Sequence, residues 1–260
     1  MLAQAKVSHS VMFHHFHNAL HPQQQGSLSG SQFEVMLDWL SDTCSLLSAD
    51  EYQSKAIDNQ LENHDICLSL DDALLCQYDV AVPILKRKGL KAFFFVYSSP
   101  MKGEPDLLEV FRYFRAVRYS SVEKFYEDFF ALSEDLLGGR YSEARQTFVG
   151  LDYLKDFPFY SENDRWFRFL RDRVLGAENY VSIMHQLMYA AEFEPKTIAS
   201  RMWLTDDHLR NLYKDGHVLG LHSYTHPTLM EKLPKERQRL EFEKNLDHLS
   251  TVLGSQAQIT

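Results

Sequence analysis

Two strand-sized runs, at residues 66–70 and 92–96, are joined by a stretch with helical spacing that stops at Lys88-Gly89. Glycine at that point can take the left-handed capping conformation. Ala92-Phe93-Phe94-Phe95-Val96 is apolar at every position, which suits a strand covered on both faces. Strand, helix and strand in this order argue for parallel pairing, and so for α/β architecture. An earlier strand is expected where Val7, Val11 and Phe13 alternate with His9 and Ser10. After a polar stretch at 18–30, Ser31-Gln32-Phe33-Glu34 has the capping-box pattern, and Phe33, Met36, Leu37 and Leu40 share one helical face.

Residues 103–204 change character and read as successive helices with aromatic faces. Leu107, Phe111 and Phe114 lie at helical spacing, as do Val122, Phe125, Tyr126, Phe129 and Leu132, before Gly138-Gly139. Ser161-Glu162-Asn163-Asp164 caps a helix carrying Trp166, Phe167 and Leu170. Ile183, Met184, Leu187 and Met188 mark another. Such aromatic content is more often helical packing than a ligand cage. The α/β pattern returns at Thr205, an N-cap for a short helix ending at Gly216, and a strand at 217–221 follows. Pro234 opens a last helix with Leu246, Leu249 and Leu253 on one face, closed by Gly254. The expected organisation is an α/β part at 1–102, a helical insertion at 103–204, and the second α/β part at 205–260.

The formal net charge of −9 argues against nucleic acid or an anionic membrane surface as the main partner. No stretch approaches the roughly 18 apolar residues of a membrane helix. Met1-Leu2-Ala3-Gln4-Ala5-Lys6 runs into Ser-His-Ser without a signal-peptide core. Cys44, Cys67 and Cys76 are odd in number and form no C-x-x-C pair. A reduced, cytoplasmic protein is expected.

Three clusters carry chemistry: Asp71-Asp72, His222-x-x-x-His226, and His14-His15-Phe16-His17. An Asp-Asp pair alone is more often a solvated turn, and H-x-x-x-H alone more often a surface pair. Here each follows the carboxyl end of an expected strand, the edge where parallel α/β folds build their sites. Two imidazoles and one carboxylate form the open three-ligand set of catalytic zinc and related divalent metals. The other aspartate is then a base for a water activated there.

These residues resemble the polysaccharide deacetylases, metal-dependent sugar N-deacetylases with a distorted β/α barrel. Ser69-Leu70-Asp71-Asp72 is similar to the family's T-F-D-D motif, and residues 82–96 resemble its following helix and A-T-F-F-V strand. The run Gly216-His217-Val218-Leu219-Gly220-Leu221-His222-Ser223-Tyr224-Thr225-His226-Pro227 resembles G-H-x-I-x-x-H-S-x-x-H-P, and Met12-Phe13-His14 resembles an opening M-Y-H strand. The resemblance implies Asp71 as general base and Asp72, His222 and His226 as metal ligands. It implies Ser223 as a brace of the histidine loop, with His14 lining the substrate cleft and His15 or His17 as alternatives. Zinc suits such ligands, with cobalt, nickel and iron open.

The sequence also departs from the family. Ala73 stands where a glycine is usual, and Thr260 is reached about where the strand before the family's later motifs, an Arg/Pro-Tyr segment and a Leu-x-His, is expected to begin. The oxyanion donor and general acid are therefore unassigned, with His14, His17 and His185 open for the acid. Setting 103–204 aside leaves roughly 160 residues, against the ~250 of a closed β/α barrel. The expected fold is thus an α/β, partial or truncated deacetylase-type barrel with a large helical insertion. The expected function is hydrolysis of an N-acetyl group on an acetamido sugar of a bacterial surface polysaccharide or its precursor. The alternatives are another amide or acyl reaction on a glycan precursor, or an inactive, metal-containing glycan-binding or assembly protein. The aromatic segment suits either a sugar platform or a homo-oligomer interface.

Overall fold

The computed structural model describes residues 7–198, 201–254, 257, 259 and 260. Residues 1–6, expected above to hold no signal core, lie outside that set. The chain forms two compact units, one of Met1–Asp106 with Ile198–Thr260 and one of Leu107–Thr197.

The first unit opens with β1 (His9–Phe13), β2 (Phe16–His17), β3 (Leu28–Ser29), α1 (Gly30–Thr43), β4 (Ser45–Leu46) and α2 (Ala49–Ile57). It continues with β5 (Asp65–Asp71), α3 (Val82–Lys88) and β6 (Phe93–Val96). The second unit holds α4 (Leu107–Arg118), α5 (Val122–Leu137), α6 (Gly139–Val149), α7 (Glu162–Phe169) and α8 (Gly176–Ala190). The first unit then resumes with α9 (Asp206–Lys214), β7 (Val218–Leu221) and α10 (Lys235–Leu253).

The main sheet is parallel, in the order β1-β5-β6-β7, with β4 paired beside the start of β5. Every residue of β5 is buried, as expected for a parallel strand with neighbours on both edges. Ile259 extends the sheet along β7, where Leu221 N–H donates to the Thr260 carbonyl. Among the described residues the sheet stays open rather than closing into a barrel. Gly220 lets β7 pass the Phe95 ring, since a Cβ there would fall 2.5 Å from ring carbons. α2 packs on β5, and α9 and α10 pack on β7. None of the described helices is long and apolar enough to cross a membrane.

Most helix punctuation follows the sequence. Gly89 closes α3 in the left-handed conformation at φ 68°, and Thr205 caps α9. Two expectations are corrected. The capping box of α1 belongs to Ser29 and Gln32, two residues before the expected frame, and Glu34 instead pairs with Arg87 at 2.9 Å. The buried face of α10 is Glu241, Asn245, His248, Leu249 and Val252, while Leu246 is exposed. Two of its inward polar groups have partners, Glu241 in the Tyr224–Thr225 turn and Asn245 at the Val96 carbonyl of β6.

The second unit is held by rings. Phe111, Phe114, Phe125, Tyr126, Phe129 and Phe167 are fully buried. The Arg115 guanidinium lies over the Phe125 and Phe167 rings at 5.2 and 5.3 Å, replacing lost hydration with ring-face attraction. His185 belongs to this unit and meets Phe111 edge to face.

His217, just before β7, is buried, and its Nδ1 accepts from Ala92 N–H at 3.2 Å. Burial, with Lys91 nearby, lowers its pKa from 6.5 to about 4. The unfolded imidazole therefore takes its proton first as pH falls. This contribution to stability is complete above 6.5, is lost between 6.5 and about 4, and levels off below. At 1.36 kcal/mol per unit the loss amounts to about 3 kcal/mol. Urea unfolding in chelator at pH 7 and pH 4 should show a pH-dependent loss smaller by about that much in His217→Gln. Equal losses in variant and parent would refute this account.

Candidate metal-binding active site

β5 delivers Asp71 and Asp72 at its carboxyl end, and the turn after β7 delivers His222 and His226. β6 lies between the two strands and sets their spacing. Asp72 N–H donates to the Phe95 carbonyl at 3.1 Å, and His222 N–H donates to the Val96 carbonyl at 3.0 Å. The segment after Asp72 is fixed from the other side, where Leu204 N–H donates to the Ala73 carbonyl at 2.8 Å.

Four non-glycine residues here have left-handed backbone: Asp72 (φ 77°), Ala73 (φ 51°), Ser223 (φ 62°) and His226 (φ 56°). Such conformations cost free energy and persist where surrounding contacts over-determine them. Alanine at position 73 thus sits where glycine would be unstrained. In the histidine loop the restraint is visible. Ser223 Oγ accepts from His226 N–H at 3.1 Å. The buried Glu241 carboxylate of α10 accepts from Tyr224 N–H (3.0 Å), Thr225 N–H (2.7 Å) and the Thr225 hydroxyl (2.9 Å). Asn245, one turn further on, donates to the Val96 carbonyl at 2.6 Å.

Ligand-type atoms of Asp72, His222 and His226 lie within 4.8 Å of one another. Asp72 Oδ1 is 3.4 Å from His222 Nε2 and 3.5 Å from His226 Nε2. That oxygen is buried without a hydrogen-bond partner, as is Asp71 Oδ1. Buried carboxylate oxygens in this condition are unfavourable unless a cation compensates. One carboxylate and two imidazoles around a shared point are a donor set that fits a divalent metal.

Burial alone would push the Asp72 carboxyl up, but the surrounding imidazoles of His222, His226 and His14 outweigh it and hold the group below the usual carboxylate range. Burial pushes Asp71 the other way, above its ordinary range, with His222 and His14 opposing and Asp72 reinforcing. Adjacent aspartates thus acquire different proton affinities, an arrangement suited to dividing ligand and base roles.

His14 Nε2 is 3.7 Å from Asp72 Oδ2, with the side chain about a third exposed. His15 is buried and its ring stacks against that of His14. His17 Nδ1 is 2.9 Å from Ser27 Oγ. The structure therefore brings Asp71, Asp72, His14, His222 and His226 together, with Ser223 inside the histidine loop.

Several supporting residues gave no sequence signal. Gln77 donates from Nε2 to the His14 carbonyl at 2.9 Å and to the Asp71 carbonyl, tying β1 to β5 beside the site. The Tyr97 ring stacks on His226 at 4.9 Å and 12°, and Trp203 Nε1–H donates to Tyr97 Oη at 2.7 Å. Asp106 Oδ2 is 3.2 Å from His226 Nδ1. An aspartate before a helix or a glutamate within one reads as surface charge unless the fold is known.

Residues 181–260 match the family model of polysaccharide deacetylases, which supports the polysaccharide deacetylase family for this chain. Two solved structures are similar. The Streptococcus pyogenes deacetylase PplD in complex with acetate is 14% identical with a TM-score of 0.49, covering 96% of this chain and 70% of that one. IcaB from Ammonifex degensii is 14% identical with a TM-score of 0.46, covering 97% and 70%. No curated protein matches the chain.

Proposed function

We propose that the protein is a metal-dependent hydrolase that removes an N-acetyl group from an acetamido sugar of a bacterial surface polysaccharide or its precursor. The observation that carries this reading is the convergence of Asp72, His222 and His226 beside a second buried carboxylate, Asp71. The family match over residues 181–260 and the two motifs supply the substrate class.

Asp72, His222 and His226 would hold the cation, with zinc the leading choice for such donors. When bound, a divalent ion supplies Lewis-acid polarisation of the amide carbonyl and favours ionisation of water. Asp71 takes the proton of the attacking water at its carboxylate, the general-base role. His14, part-exposed next to Asp72, lines the cleft where the sugar lies. Ser223 keeps His226 in place through the His226 N–H.

The test is acetate release from N-acetylated sugars. Turnover should vanish on treatment with a chelator and return with added zinc. Turnover indifferent to chelator, or strict preference for a different acyl group, would refute this function.

A further inference from the structure

The inference concerns Asp106 and rests on the reading of Asp72, His222 and His226 as metal ligands. A neutral imidazole carries one N–H and one lone pair, and whichever nitrogen donates leaves the other to ligate. In His226 the two nitrogens face different carboxylates. Nδ1 lies 3.2 Å from Asp106 Oδ2, and Nε2 lies 3.5 Å from Asp72 Oδ1. The Asp106 side chain is 9% exposed, so water competes little for this contact. Tyr97, stacked on the ring and itself held by Trp203, fixes the plane in which the two nitrogens point.

We propose that Asp106 is a positioning residue: it accepts the Nδ1–H of His226 and so presents the Nε2 lone pair to the metal point shared with Asp72 and His222. Carboxylates acting through a ligating histidine raise its basicity and fix its orientation, and losing one typically costs 10–100-fold in metal affinity. The residue lies far in sequence from both motifs, directly before α4 (Leu107–Arg118). A role confined to starting that helix is the competing explanation, and a serine separates the two. Serine is a good helix N-cap but lacks the carboxylate.

Zinc affinity is measured on the full chain by competition with a chromophoric chelator, for the parent, Asp106→Ser and Asp106→Asn. Asp106→Ser is expected to bind zinc roughly 10–100-fold more weakly, and Asp106→Asn, which keeps an accepting oxygen, to lose less. Long-range proton–nitrogen spectra of the metal-free parent should show His226 protonated on Nδ1, with the proton moving towards Nε2 in Asp106→Ser. Parent-like zinc affinity in Asp106→Ser would overturn the proposal. So would a parent spectrum with the proton on Nε2, a result that needs no variant to fold. Failure of the parent to bind zinc would instead sink the ligand reading, and the spectra would still decide the role of Asp106.

Discussion

Asp71→Asn is expected to lower acetate release by roughly 10²–10⁴-fold, the usual contribution of a general base. The same change should leave the metal-free protein as stable as the parent or more so. Asp71 is buried, its Oδ1 has no hydrogen-bond partner, and its pKa is pushed up by that burial. An uncharged amide of the same shape removes a desolvated charge beside Asp72, so folding loses nothing on that account. Zinc should still bind, because the Asp72, His222 and His226 donors are untouched. The prediction is thus a split between turnover and stability. Turnover within about threefold of the parent, well short of the loss a general base entails, would remove Asp71 from the chemistry. A large drop in melting temperature would assign it a structural role instead.

Glu241→Ala should give the opposite pattern, with stability and metal affinity falling together. The Glu241 carboxylate accepts three hydrogen bonds from Tyr224 and Thr225, inside the loop that carries both histidines. Each amide left without an acceptor costs about 1–3 kcal/mol. With Ser223 and His226 both left-handed, the loop also loses the restraint that holds a strained backbone. A total of about 3–5 kcal/mol corresponds to a fall of about 10 °C in melting temperature for a protein of this size. Zinc affinity is expected to drop at least about tenfold, as for other supporting contacts of metal ligands. Glu241→Gln keeps one accepting oxygen and should lie between. Calorimetry and chelator competition on the three proteins check this, and a Glu241→Ala protein with parental values in both would refute it.

The contrast between these residues explains what was legible in the sequence. Asp71, Asp72, His222 and His226 stand out because a strand's end is marked by a change from apolar to ionisable residues, and that change is local. The α/β class was legible for the same reason: residues 66–70 are apolar except for Ser69, residues 92–96 are apolar throughout, and Gly89 punctuates the helix between. Glu241 and Asn245 were not legible, because all but one of their partners, the Thr225 hydroxyl, are main-chain groups of the Tyr224–Thr225 turn and Val96, which have no residue-type signature. The leucine pattern pointed to Leu246, which is exposed, while the inward face of α10 is partly polar. The two-residue ladder of Phe16–His17 with Leu28–Ser29 is too short to produce any periodicity. Asp106 was missed because its partner, His226, lies 120 residues further along.

The two main-chain contacts to β6 have a bearing on how such a sequence can change over time. Asp72 and His222 hang from successive carbonyls, those of Phe95 and Val96, so the separation of these two residues is written in backbone register rather than in side chains. Apolar replacements of similar volume along Phe93–Val96 leave that separation intact. Inserting or deleting one residue there would displace one of the two from the other by about 3.3 Å, more than the length of a metal–ligand bond, and so would undo the proposed donor set. Substitution is therefore cheap in this strand, and a change in its length is not.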